Sequence, residues 1–193
     1  LDPRTGTNAY GAVERVLLNA AVAQLWRSFY GIETYASAAL TDSKVPDQQA
    51  GYERMMNMLL PVLVGVDMIT TLGYLESYLT ISSEQVLIDN EIASMILRIL
   101  GGVKVNDESL AVDVIGKVGP GHHFLSEKHT LNHVGELFMP KLANRSPRGK
   151  WRRAGEKDIA RVARDEAKLI LKTHQPEPLE KSIQDRLRKM AER

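Results

Sequence analysis

Four short stretches carry the residue types that could do chemistry. The first is Thr41-Asp42-Ser43-Lys44-Val45-Pro46-Asp47-Gln48-Gln49. It sets a carboxylate, a hydroxyl and an ammonium side by side at Asp42, Ser43 and Lys44, with the Gln48 amide close behind. It follows a β-prone piece containing Tyr35 and precedes a helix. In parallel α/β folds the loops at the carboxyl ends of strands build the site. The plainer reading is a solvated turn with a helix cap. The second stretch, Gly73-Tyr74-Leu75-Glu76-Ser77, closes an apolar strand. A carboxylate at Glu76 would point into a barrel mouth, and with Tyr74 it could hold a cation by charge and by the negative face of the ring. The alternative is a surface glutamate capping the next helix. The third is Gly121-His122-His123-Phe124. Adjacent imidazoles in a turn point apart, so they suit a loop closing over a site better than a shared metal. The fourth is the basic run Arg145, Arg148, Lys150, Arg152, Arg153 with Trp151, either a partner surface or a solvated loop.

Other signatures are absent. His129 and His133 have a metal-compatible spacing on a predicted helix, but Thr130 follows His129 and no HExxH pattern exists, so no metal is expected. Gly101-Gly102 is not a phosphate-cradling motif, and there is no GxSxG elbow or SxxK nucleophile.

The elements that must position these residues follow from periodicity and punctuation. A helix is expected over Asn8–Tyr30, capped by Thr7 or Asn8 and stopped at Gly31. A strand is expected at Ile32–Tyr35 and a loop over Ser37–Lys44. A helix then runs from Asp47 to Val66, with Pro46 suiting its first turn and Pro61 kinking or breaking it. Asp67–Leu75 reads as a second strand. A helix capped by Ser82 or Ser83 ends at Gly101-Gly102. Val103–Val105 is at most a short extended piece. Helices are expected over Asn106–Val118, His129–Leu137 (capped by Ser126) and Trp151–Thr173, with a loop over Arg145–Arg153. A charged terminal helix spans Leu179–Arg193.

Alternating strand and helix in the middle of the chain signals parallel α/β architecture, followed by helices alone. A (β/α)8 barrel needs eight strands and about 250 residues, so the 193 residues here would supply only part of one. The chain opens Leu1-Asp2-Pro3-Arg4 without Met and reads as a portion of something longer. Residues 1–140 are assigned to the barrel part and 141–193 to a trailing helical segment.

Composition narrows the classes further. With 25 basic and 24 acidic residues the net charge is +1, leaving no electrostatic footprint for nucleic acid or an anionic membrane. There are no cysteines, which excludes disulfides and thiolate metal sites and fits a cytoplasmic protein. The longest apolar candidate, Met55 to Ile69, contains Asn57, Pro61 and Asp67 and falls short of the roughly 20 apolar residues of a bilayer span.

Several stretches together resemble the trimethylamine methyltransferase superfamily, which also holds the glycine betaine and other quaternary amine demethylases. They are Asp2-Pro3-Arg4-Thr5-Gly6, Leu40 to Ala50, Gly73 to Ser77, Asp89-Asn90-Glu91-Ile92 and Val118 to Leu125. The resemblance covers nearly the whole chain. It implies an α/β fold, the C-terminal part of a (β/α)8 TIM-type barrel followed by C-terminal helices, in a family whose members are substantially longer. It implies transfer of a methyl group from a methylated amine to the cobalt(I) of a corrinoid (cobalamin) carried by a separate partner protein.

The resemblance makes Glu76 and Asp42 the catalytic candidates, and Tyr74, Tyr35, Ser43, Lys44 and Gln48 the substrate-binding ones. His122 and His123 are the candidates for touching the corrinoid. Enzymes for trimethylamine carry pyrrolysine in the region covered here. Ala38-Ala39-Leu40 stand where that residue is sought, which points to the pyrrolysine-free branch and a quaternary amine. Some relatives have a histidine where Thr70 or Thr71 stands. The partners expected are a corrinoid protein, a small methylated amine and further copies of the chain. These 193 residues alone are expected to be inactive, because half the site-building loops would be missing. A reading of a different class is a non-catalytic scaffold or assembly module, since a partial barrel exposes apolar faces and free strand edges.

Overall fold

The computed structural model describes residues 1–192. Helix α1 (Val13–Leu25) continues as a π-type turn over Trp26–Tyr30, and Gly31 ends it with φ at 65°. The start falls later than Asn8 for a specific reason. The backbone amides of Tyr10 and Gly11 donate to the Asp42 carboxylate at 2.9 and 3.0 Å. Ala12 therefore holds the N-cap position without a side-chain bond, and neither Thr7 nor Asn8 caps the helix.

Strand β1 is Tyr35–Ser37 and shares only Tyr35 with the expected Ile32–Tyr35. The Asp67 carboxylate takes the Thr34 N–H at 2.9 Å, so pairing begins only after it. Helix α2 (Gln48–Leu63) is capped by Asp47, whose side chain accepts from Ala50 N. Pro61 stays inside the last turn, where it withholds an N–H from the Asn57 carbonyl, and the helix stops two residues later. Strand β2 (Met68–Thr70) then pairs with β1 in parallel, Tyr35 with Met68, Ala36 with Ile69 and Ser37 with Thr70. This is one βαβ unit.

The expected single strand over Asp67–Leu75 is broken. Thr71 and Gly73 take φ values of 76° and 86°, and the chain turns into a short antiparallel hairpin of β3 (Tyr74–Leu75) and β4 (Thr80–Ile81). Helix α3 (Ser83–Leu100) is capped by Ser82 and stops at Gly101. Val103–Val105 forms no strand. Helix α4 (Asp107–Leu110) and α5 (Val112–Val118) replace the single expected helix, split where Ala111 takes φ 50°. Helix α6 (Lys128–His133) begins earlier than expected and Ser126 does not cap it. The expected Trp151–Thr173 helix is two elements. Gly155 (φ 95°) and Glu156 (φ 52°) separate α7 (Arg148–Arg153), in the expected basic loop, from α8 (Ile159–Thr173), which Asp158 caps. Helix α9 spans Lys181–Ala191.

Helix α1 packs on α2, and α3 packs on both α2 and α8. The core gathers Ala36, Ala38, Ala39, Met58, Ile88, Ile92, Ile96 and Ala163, with Leu142 packed against it. Residues from the segment beyond 140 thus share the core of the strands. The fold is mixed α/β, and its described strands form two small sheets rather than a closed barrel. Among the described residues no helix is long and apolar enough to cross a membrane.

Candidate active site

Because β1 and β2 are parallel, the chain leaves both at the same end. The loop after β1 and the segment after β2 meet there through two backbone bonds, Glu76 N to Ser43 O at 2.8 Å and Ser77 N to Thr41 O at 3.1 Å. The structure therefore brings Asp42, Ser43, Lys44, Tyr74 and Glu76 into one place.

Their roles differ. The Asp42 carboxylate is taken up by three donors: Tyr10 N, Gly11 N and Ser77 Oγ, the last at 2.6 Å. It anchors the N-terminal segment and the Glu76 turn to its own loop. Ser43 Oγ lies 2.8 Å from Asp47 Oδ1 and shapes the turn into α2. Lys44 Nζ donates to the Asp42 carbonyl at 2.8 Å and is exposed. Gln48 is exposed at the first position of α2. Glu76 is half-buried, and its carboxylate receives one bond, from Thr80 Oγ1 at 3.2 Å. It is the acidic group at the strand ends with capacity to spare.

Three successive residues, Glu76, Ser77 and Tyr78, have φ between 50° and 78°. Left-handed backbone costs a non-glycine residue about 1–2 kcal/mol, and such strain collects at functional sites. The turn carries Tyr78 against Tyr74, with ring centroids 5.3 Å apart, and against Tyr10 at 5.1 Å edge to face. The Arg15 guanidinium stands over the Tyr10 ring at 5.1 Å. The aromatic cluster thus already faces one cation of the protein itself.

Beneath these loops lies a buried polar layer from α2 and α3. Glu53 accepts from Thr41 Oγ1 at 2.5 Å, Asp42 N at 2.8 Å and Gln49 Nε2 at 2.9 Å. Arg54, with none of its surface exposed, donates to Ala39 O at 2.7 Å, to the Tyr74 carbonyl and to Asp89 Oδ2 at 2.5 Å. Asp89 also accepts from Gly73 N at 2.7 Å and Gln85 Nε2 at 2.8 Å. Burial pushes the Asp89 carboxyl up and the Arg54 guanidinium down from their ordinary values, desolvation outweighing their mutual attraction.

Other candidate residues lie elsewhere. Tyr35 is exposed at the amino end of β1, away from the carboxyl-end loops. His122 and His123 are exposed on the loop after α5, and among the described residues no hydrogen bond ties that loop to the strand ends. No cluster of three or more potential metal ligands occurs among the described residues. Sequence reading missed Tyr10, Tyr78, Arg15, Glu53, Arg54 and Asp89. The signal for three of them was present. Glu53 and Arg54 fall on the buried face of α2 with Ala50, Asn57, Met58 and Pro61, and Asp89 on that of α3 with Gln85, Ile88, Ile92 and Ile96. A charge on a core-facing stripe is buried and therefore partnered.

The polar loops gather at the carboxyl ends of the parallel strands, which is where α/β enzymes build their sites. The family model for trimethylamine methyltransferase matches residues 1–193. A trimethylamine methyltransferase of Methanosarcina barkeri is 43% identical over 182 residues, 94% of this chain and 37% of that one. A trimethylamine methyltransferase of Desulfitobacterium hafniense is 40% identical over 192 residues, 100% of this chain and 38% of that one. A glycine betaine methyltransferase of Desulfitobacterium hafniense is 39% identical over 189 residues, 96% of this chain and 39% of that one. The chain belongs to the trimethylamine methyltransferase family, and it spans less than two fifths of the length of these curated relatives.

Proposed function

We propose that this chain forms part of a methyltransferase that moves a methyl group from a methylated amine, quaternary in preference, to a corrinoid on a separate protein. The strand ends are the carboxyl-end face of a TIM-type barrel in this reading. The observation that carries it is the clustering of half-buried Tyr10, Tyr74 and Tyr78 at the strand ends, beside the strained turn that also carries Glu76. A carboxylate and the negative faces of aromatic rings are what an alkylated ammonium ion requires. At about 4 Å and an effective dielectric near 20, a carboxylate contributes roughly 4 kcal/mol to holding such a cation.

The chemistry sets the demands on the protein. An in-line nucleophile forms a new bond to the methyl carbon as the C–N bond breaks, and the bonding pair leaves with nitrogen as a neutral amine. The reduced corrinoid, the second substrate, supplies that nucleophile when docked. The residues of this chain bind and orient the cation. Glu76 holds the positive nitrogen, Tyr74 and its neighbours line its alkyl groups, and Asp42 with Ser43 and Lys44 fixes the loop that faces them. Exposed His122 and His123 are open to a bulky acceptor, and we assign them to it. Ala38, Ala39 and Leu40 are fully buried, so no long reactive side chain projects from that stretch, which supports a quaternary rather than a tertiary amine.

The test is binding of a panel of quaternary amines to the full-length protein, followed by methyl transfer to free cob(I)alamin. Transfer from one quaternary amine is expected, with affinity on the order of a thousandfold weaker in Glu76→Gln. No binding and no transfer from any amine would overturn the reading. Exposed Leu17, Leu18, Phe29 and Leu97 favour a second property, association with further copies. A sedimentation coefficient that stays at the monomer value at every concentration would remove it.

A further inference from the structure

We propose that the buried Arg54–Asp89 pair is the positioning element of the strand-end site, clamping the Gly73–Tyr78 segment to the loop after β1 so that Tyr74 and Glu76 stay aimed. This rests on the strand ends being the amine site. The partners of the pair argue for it. Three of its bonds go to backbone on the two loops: Ala39 O, Tyr74 O and Gly73 N. Gln85 braces the remaining Asp89 oxygen from α3. A planar guanidinium reaches two carbonyls and a carboxylate at once, which a lysine ammonium on a flexible stem does not reproduce. The clamped Tyr74 carbonyl stands just ahead of the left-handed run Glu76–Tyr78, with only Leu75 between, so the strained turn is fastened at its entrance.

Stability alone does not explain the pair. Well-packed apolar residues of similar volume hold a core at least as well as a buried ion pair. Here Arg54 Nε and Gln85 Oε1 are left buried without partners, a cost an apolar core would not carry. What an apolar replacement lacks is the ability to hold two carbonyls and an amide in fixed places.

The experiment compares wild-type full-length protein with Arg54→Met/Asp89→Leu, which keeps volume, and with Asp89→Asn, which keeps shape. Amide hydrogen exchange is followed by residue, and quaternary amine affinity is measured beside it. The expected result is at least tenfold faster exchange confined to the Gly73–Tyr78 and Leu40–Ser43 backbones, with α2 and α3 unchanged, and amine affinity about tenfold weaker in both variants. If the double variant does not fold, Asp89→Asn decides the question on the same amides. Unchanged loop exchange in a folded variant, or acceleration spread evenly through the core, would overturn the proposal. Failure of wild-type protein to bind any amine would instead sink the methyl-transfer reading, while the exchange data still decide whether the clamp exists.

Discussion

The Asp42 carboxylate and the Ser77 hydroxyl lie 2.6 Å apart and join two loops 35 residues apart in sequence. The same carboxylate receives Tyr10 N and Gly11 N, so one side chain fastens three segments. Replacing it leaves two backbone donors and a hydroxyl without an acceptor. Asp42→Ala is expected to cost about 3 kcal/mol and Ser77→Ala about 1 kcal/mol. Urea unfolding at an unchanged m-value measures both. An Asp42→Ala variant as stable as wild type would show the carboxylate to be a free site group and not an anchor.

Gly11 is buried directly beneath Glu53. A Cβ at this position would stand inside contact distance of the Glu53 carboxyl atoms. That carboxyl group is already fixed by Thr41, Asp42 and Gln49 and has little freedom to move aside. Gly11→Ala should destabilise the protein by about 1–3 kcal/mol. In a Glu53→Ala background the added methyl finds space, so a double-mutant cycle should return a coupling of about 1 kcal/mol or more. Additive effects would place the two residues out of contact.

What was legible in the sequence was local. Gly31, Asp47, Ser82 and Gly101 punctuate helices through bonds within a few residues, and they stand at or beside the observed ends. The acidic and aromatic residues after the strands were legible for the same reason, since turn position alone places them at the strand ends. The α1 start was not legible, because the amides of Tyr10 and Gly11 are drawn off by an aspartate more than thirty residues away. The α7–α8 break had a local signal in Gly155 and in the cap residue Asp158, but the apolar spacing that marks the helix begins only at Ile159 and did not fix where it starts. Neither Arg54 nor Asp89 stands in a motif that marks chemistry. Only their place on the inward stripes of α2 and α3 betrays them, and that stripe must be known before it can be used.

Glu91 ties the segment before α7 to α3. Its two carboxylate oxygens accept from three consecutive amides, Lys141 and Leu142 at 2.5 and 2.7 Å and Ala143 at 2.9 Å. A glutamine keeps the size but turns one acceptor into a donor facing an N–H. Glu91→Gln should lose about 2 kcal/mol and free the backbone around Ala143. Limited trypsin digestion at neighbouring Arg145 should then run faster than in wild type. Cleavage at an unchanged rate would show that Arg145 is protected by something other than this nest.

The link between α3 and α8 should be sensitive to acid. Arg164 Nε lies 2.8 Å from Glu84 Oε1, and Ser82 Oγ lies 2.7 Å from Oε2. The Arg164 bond, followed by the Ser82 bond, holds the Glu84 carboxyl down at about 2 from a usual value of 4.5. A folded-state value below the unfolded one means that the unfolded chain binds more protons between the two, so stability rises with pH across that window. The contribution is complete above about pH 4.5 and is lost as pH falls toward 2. Arg164 is half exposed, which reduces the effect through solvent screening to about 1 kcal/mol. Urea midpoints measured at about pH 5 and pH 3 should therefore fall further apart in wild type than in Glu84→Gln, and the gap should shrink in molar salt. Equal pH slopes in the two proteins would mean that α3 and α8 are held by their apolar contact alone.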